Sequence, residues 1–267
     1  MNARPARILI VAGSDSSGGA GIQADIKTAT ALGCYAMTAI TAVTAQNTTG
    51  VKSIHPIPAA IVREQIEASL EDIGADAIKI GMLGGAQIVA AVTDVLKRHA
   101  LSIPLVFDPV MVATTGASLL DDDALCALKT ELLPLATIVT PNAIEAERLT
   151  GLRVKTDEDC VSAGMALVRD GAKAALIKGG HLDGTEARDV LIEAGHPVWF
   201  ASKRIETRHT HGTGCTLATA IACGLGQGLT LRDAVARAHD YVHEAIRTAP
   251  GFGAGYGPLN HMHGKID

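Results

Sequence analysis

Aromatic side chains are scarce. Three Phe, three Tyr and one Trp make 3% of the 267 residues, so the core must be built mainly from aliphatic side chains. Charge is sparse as well, at 19% of residues, while 48% are hydrophobic, a balance that argues against a disordered chain. There is no basic run and the formal net charge is −5, which speaks against nucleic acid or an anionic membrane as the main partner. A small anionic substrate stays compatible, because local dipoles can bind one. The five cysteines (Cys34, Cys126, Cys160, Cys215 and Cys223) are odd in number, widely spaced and without a C-x-x-C pair. That argues against a disulfide framework and a structural zinc site, and four of them read as small core residues. No apolar stretch is long and unbroken enough to span a bilayer, and residues 1–7 lead into a strand-like segment without a signal-peptide core or cleavage site. The expected location is the cytoplasm. No linker rich in Pro, Ser or charge divides the chain and no period repeats, so residues 1–267 are expected to form one domain.

What the chain does have is glycine in particular places. His211-Gly212-Thr213-Gly214-Cys215-Thr216 precedes an apolar run of good helix formers over 217–223. A helix beginning there would present unpaired N–H groups and a partial positive charge, and glycine would let an anion approach the backbone. Cys215 would lie in the first turn, in a field that favours thiolate over thiol. An anion cradle beside one activatable side chain points to phosphoryl transfer, although the same run also fits a loop with an ordinary buried cysteine.

Short apolar runs alternate with helical patterns along the whole chain. Strands are expected over 8–12, 37–44, 77–80, 105–107, 138–140 and 174–178, with an antiparallel pair over 190–193 and 198–201 turned at Gly195. Helices are expected over 23–32, 59–73, 86–99, 122–133, 142–150, 157–170, 213–224 and 231–248. This alternation implies a three-layer α/β fold, a mostly parallel central sheet flanked by helices, with small β elements at the edge. In such sheets ligands bind beyond the carboxyl ends of the strands. The polar and glycine-rich clusters fall there: 13–21, Gln46-Asn47, Gly81-Met82, Asp108-Pro109, Pro141-Asn142, 178–181 and 212–215.

Two nucleotide motifs fail. The loop over 13–21 lacks the Gly-Lys-Ser/Thr of a phosphate-binding P-loop, since Gly18 is followed by Gly19. Gly19-Ala20-Gly21-Ile22-Gln23-Ala24 fits a dinucleotide fingerprint, but the strand ending at 44–47 carries no acid for a ribose, which disfavours a dehydrogenase. Other residues carry chemistry more plainly. Asn142 and Glu145 share one face of a helix start, where they serve either as a cap or as holders of Mg²⁺ through water. Asp108 at a strand end has the same two readings, with a turn before Pro109 as the structural one. Lys178 either neutralises phosphate or is a solvated strand end. Gln46 offers an acceptor and two donors, a set that reads an aminopyrimidine edge or stabilises a loop. Asp25 near a helix start is a dipole partner, and Met82 a core filler, unless each meets a ligand.

These segments together resemble the ribokinase-like kinases of vitamin precursors, and specifically the hydroxymethylpyrimidine/phosphomethylpyrimidine kinases of thiamine biosynthesis. The resemblance is carried by Ala12-Gly13-Ser14-Asp15 with 17–25, by 41–47, and by Lys79-Ile80-Gly81-Met82-Leu83. It continues through Asp108-Pro109-Val110-Met111, Thr140-Pro141-Asn142 with Glu145-Ala146, Lys178-Gly179-Gly180-His181, and 211–215. It implies a ribokinase-like fold and ATP- and Mg²⁺-dependent phosphorylation of 4-amino-5-hydroxymethyl-2-methylpyrimidine, then of its monophosphate to the diphosphate. It implies that Gln46, Gly13, Asp25, Met82 and Val110 line the pyrimidine site. Asn142, Glu145 and Asp108 would lie on the Mg²⁺ and phosphate side. Gly212, Thr213 and Gly214 with Cys215 would form the anion hole, assisted by Lys178. Most ribokinase-like enzymes end this motif in Asp, a ready base; Cys215 stands there instead, with Asp25 the next candidate base. A related class of pyridoxal kinases shares that cysteine, so pyridoxal kinase is the alternative; a non-catalytic ligand-binding protein is a further one. The partners implied are small molecules, not nucleic acid or membrane, with a homodimer left open and no room after Gly257-Pro258 for a fused synthase domain.

Overall fold

The computed structural model describes residues 4–111, 121–180 and 184–263. Its frame is a nine-stranded sheet in the order β3-β2-β1-β4-β5-β6-β7-β8-β9. The strands are β1 (Arg7–Asp15), β2 (Tyr35–Asn47), β3 (Gly50–Pro56), β4 (Ala77–Ile80), β5 (Leu105–Phe107), β6 (Ile138–Val139), β7 (Ala174–Lys178), β8 (Glu186–Glu193) and β9 (His196–Lys203). Those from β2 to β7 pair in parallel, while β3 closes one edge and β8 with β9 the other, all three antiparallel.

The run Ile8-Leu9-Ile10-Val11 shows why β1 is central. All four side chains are fully buried, and alternate ones enter opposite faces of the sheet. Leu9 and Val11 join Ile78, Ile80, Val89, Val92 and Phe107 in one core. That core is covered by α2 (Ala59–Asp72), α3 (Ala86–His99), α4 (Asp122–Ala127), α5 (Ala143–Thr150) and α6 (Asp157–Arg169). Ile8 and Ile10 join Ala77, Val106, Ala218 and Ile221 in the other, covered by α1 (Gly21–Ala31), α7 (Thr213–Gly226) and α8 (Leu231–Arg247). This is the three-layer arrangement the alternation implied. Among the described residues no helix is long and apolar enough to cross a membrane.

Departures from the sequence reading have local causes. The edge strand β3 went unread: Lys52 to Pro56 are exposed, so no buried face imposes an alternation. The expected helix over 122–133 instead passes through a π turn (Leu128–Leu132) into a 3₁₀ turn (Leu133–Leu135) containing Pro134. Strands β8 and β9 are longer than expected, and their turn uses Ala194 and Gly195, both at positive φ (49° and 78°), as a two-residue hairpin requires. β1 runs on past a bulge between Ala12 and Ser14, which carries the chain directly into the glycine-rich loop.

Candidate active site

The carboxyl ends of β1, β2, β4, β5, β6 and β7 converge on the start of α7, around a cavity of about 750 Å³. Gly212 caps α7 with φ 85°. A Cβ there would lie 1.9 Å from the carbonyl oxygen of Gly19, so only glycine allows the helix to begin against the first loop. The N–H of Thr213 turns back to Thr210 O at 3.3 Å, and its hydroxyl donates to the same oxygen at 2.8 Å. The first-turn donors left to face the cavity are those of Gly214 and Cys215.

Opposite that helix start lies a cluster of charge. Lys178 Nζ donates to Asp108 Oδ1 at 2.9 Å and lies 3.9 Å from Glu145 Oε2, and the Thr140 hydroxyl donates to Asp108 Oδ1 at 3.2 Å. A Cβ on Gly214 would stand 3.2 Å from Lys178 Nζ, so the helix N-terminus and the ammonium face one spot. Asn142 and Glu145 form a reciprocal capping box at the start of α5, with bonds of 2.8 and 2.9 Å. Burial, opposed by Lys178 and reinforced by Asp108, pushes the Glu145 carboxyl up to about 7. Lys178 is also buried, yet Asp108 and Glu145 outweigh that and raise it, keeping it a cation. Among the described residues no group of three or more His, Cys, Asp or Glu could hold a metal directly. Asp108 and Glu145 offer too few oxygens for a protein cage, which fits a Mg²⁺ carried by phosphate and met through water.

Cys215 is the third residue of α7. Burial pushes its thiol up to about 11, against the pull of the nearby Lys79 ammonium and the Gly21 N–H. In the unliganded protein desolvation therefore opposes the expected thiolate and outweighs the field of the helix start. Beneath the cysteine, Lys79 Nζ pairs with Asp25 Oδ2 at 2.8 Å, both side chains fully buried, and Thr219 donates to Asp25 Oδ1 at 2.7 Å. Asp25 thus does not line the cavity as the resemblance implied, and a carboxylate committed to a lysine is a poor reserve base. Its short side chain at the start of α1 points into the sheet because Lys79, inside the strand Ala77–Ile80, needs a counter-charge.

Gly13, Gln46, Met82 and Val110 line the same cavity. A Cβ on Gly13 would lie 2.3 Å from the Met82 methyl group, so the glycine makes room for Met82. Gln46 Nε2 lies 3.3 Å from His211 Nε2, which lies 2.8 Å from Asp15 Oδ2. The Asp15 carboxylate also accepts the N–H groups of Ser17, Gly19 and Ala20 and the Ser17 hydroxyl. Burial pushes Asp15 up, but hydrogen bonds from His211, Ser17 and Ala20 prevail and hold it below the usual carboxylate range. One carboxylate therefore ties the first loop to the residue that precedes Gly212 and the start of α7.

The family model described as phosphomethylpyrimidine kinase matches residues 15–260. The chain belongs to the phosphomethylpyrimidine kinase family. It is 49% identical over 258 residues to the hydroxymethylpyrimidine/phosphomethylpyrimidine kinase of Rhizobium meliloti, covering 96% of each chain. It is 49% identical over 255 residues to a thiamine biosynthesis bifunctional protein of Geobacter sulfurreducens, covering 96% of this chain but about half (52%) of that relative. The structure of Staphylococcus aureus pyridoxal kinase in complex with AMP-PCP and pyridoxal superimposes with a TM-score of 0.91 at 33% identity, over 99% of this chain and 97% of that one.

For a member of this kinase family, sequence reasoning missed three residues. Asp15 and His211 stood within quoted segments without a role, and Lys79 carried a signal, a charged side chain inside a four-residue buried strand. His181, the end of the segment after β7, lies outside the described residues.

Proposed function

We propose that this chain transfers the γ-phosphoryl group of ATP to the hydroxymethyl oxygen of 4-amino-5-hydroxymethyl-2-methylpyrimidine, and then a second phosphoryl group to the monophosphate. The observation that carries the reading is the shared cavity: the start of α7 and Lys178 face one spot, and Gln46, 3.3 Å from His211, lines the same cavity. The N–H groups of Gly214 and Cys215 and the Lys178 ammonium oppose the charge that spreads over the equatorial phosphoryl oxygens. Asp108 and Glu145, with Asn142 fixing the Glu145 carboxylate, would hold Mg²⁺ through water, and the ion would supply further neutralisation. Gln46 orients the ring so that the alcohol attacks in line, which is where most of the rate arises in a loose transition state. The same looseness lets the alcohol keep its proton until late, so a cysteine protonated at rest is compatible with turnover. The alternative, a pyridoxal kinase, is supported by the superposition on the Staphylococcus aureus enzyme and is weakened by the lower identity. Incubating the protein with Mg-ATP and the aminopyrimidine alcohol should give products heavier by one and then two phosphoryl groups on a mass spectrometer; an unchanged alcohol refutes the reading.

A further inference from the structure

The hydrogen bonds around Gln46 have directions, and those directions are set from one end. Asp15 is held ionised by the donors gathered on it, so the His211 Nε2 that meets its Oδ2 at 2.8 Å must carry the hydrogen. The amide nitrogen of Gln46, 3.3 Å from that same Nε2, would set a donor against a donor. At the other end of the amide, Oε1 lies 3.3 Å from Thr44 Oγ1, whose hydrogen is given to Ser14 O at 2.9 Å. Thr44 therefore presents lone pairs to the amide, an acceptor against an acceptor. A half-turn of the last torsion removes both conflicts: Oε1 then faces the His211 Nε2–H and shares, as the longer arm of a three-centre bond, the hydrogen given to Asp15, and Nε2 donates to Thr44.

The rest of the residue allows no other adjustment. Ser16 Oγ donates to Gln46 O at 2.8 Å and accepts from Gln46 N at 2.9 Å, clamping the backbone. The His211 ring is held by Asp15 and has the Gly19 backbone close against it, where a Cβ would lie 2.4 Å from its Cδ2. We infer that His211, oriented by Asp15, fixes which end of the Gln46 amide donates and which accepts. It thereby makes the pocket selective for a ring edge that pairs an exocyclic amine with a ring nitrogen. Both residues border the same cavity, and the role inferred for them is exercised through Gln46, as positioning residues for substrate choice. The inference rests on the reading of Gln46 as the aminopyrimidine contact given above.

The test has one arm without catalysis. In the unliganded parent protein, long-range ¹H–¹⁵N correlation spectra should show His211 protonated at Nε2; a bare Nε2 overturns the inference. The second arm compares kcat/KM for the 4-amino alcohol and for its analogue with hydrogen at that position. The parent should prefer the amine. His211→Asn and Asp15→Asn, checked for an intact fold by circular dichroism, should lose roughly tenfold or more of that preference, read as the ratio of kcat/KM for the two alcohols at one saturating ATP concentration so that any change at the start of α7 cancels. A preference kept in both variants overturns the inference and leaves the proposed function standing. A parent without any preference refutes the Gln46 reading itself, and the inference with it.

Discussion

Replacing Gly212 by alanine should disable the kinase more than it unfolds it. The added Cβ would sit 1.9 Å from Gly19 O, and contacts below 3.0 Å are not tolerated, so the loop or the helix start must retreat by at least about 1 Å. Neither neighbour is the flexible end of a side chain; both are backbone held by the Asp15 hydrogen bonds. Alanine at φ 85° adds about 1–2 kcal/mol of conformational strain. A displacement of about 1 Å at the N–H groups proposed to bind the phosphoryl oxygens is worth on the order of 10²-fold in rate. Gly33→Ala separates the two effects, since Gly33 also has positive φ (75°) but a Cβ there meets nothing within 4 Å. Both variants should melt lower, Gly212→Ala further because its clash adds to the shared φ strain, whereas kcat at saturating substrates should fall about 10²-fold in Gly212→Ala alone. A Gly212→Ala enzyme turning over within about threefold of the parent would refute the placement of the anion hole.

Other expectations follow from the charges. Because burial holds the Cys215 thiol near 11, its alkylation by iodoacetamide should speed up by about tenfold per pH unit from neutrality upward and be slowed by ATP; a rate already level at pH 7 contradicts the buried thiol. Cys215→Ala should lower kcat by about 10²–10⁴ if the sulfur accepts the proton, and far less if it only packs, so the rate itself decides the role. Glu145 is raised from 4.5 to about 7, so the folded state binds more protons than the unfolded chain and stability falls as pH rises through that window. Glu145→Gln should accordingly melt higher than the parent at pH 8 and not at pH 4, and should need more Mg²⁺ for half-maximal rate; overlaid melting and titration curves would refute both roles. Lys79→Met strands a buried carboxylate and should destabilise by about 3–5 kcal/mol in urea unfolding, with Lys79→Met/Asp25→Leu recovering most of it. No recovery would show that the pair is not what ties α1 to β4.

Much of the fold was legible because its signal is local. Fully buried runs such as Ile8 to Val11 can only be central parallel strands, and Gly33 and Gly151 mark helix ends at positive φ. β3 was not legible because its side chains are exposed and its partner strand alone defines it. At the site, the position of Gly212 followed from chemistry that a helix start imposes. The state of Cys215 did not, since the field of a helix start can be read from sequence while the desolvation that opposes it depends on packing. Asp25 and Lys79 are 54 residues apart, and nothing local says that one neutralises the other. The Asn142–Glu145 spacing allowed a cap and a metal role alike; the structure shows the cap, and the same hydrogen bonds orient the Glu145 carboxylate toward Lys178.

The central claim is that the cavity phosphorylates an aminopyrimidine alcohol. The most direct measurement offers the protein Mg-ATP with that alcohol and pyridoxal in one vessel and follows both phosphorylated products by mass. The pyrimidine monophosphate should form first, its diphosphate should follow, and pyridoxal phosphate should stay a minor product. Pyridoxal phosphate as the main product, or a pyrimidine that stops at the monophosphate with ATP still present, would contradict it.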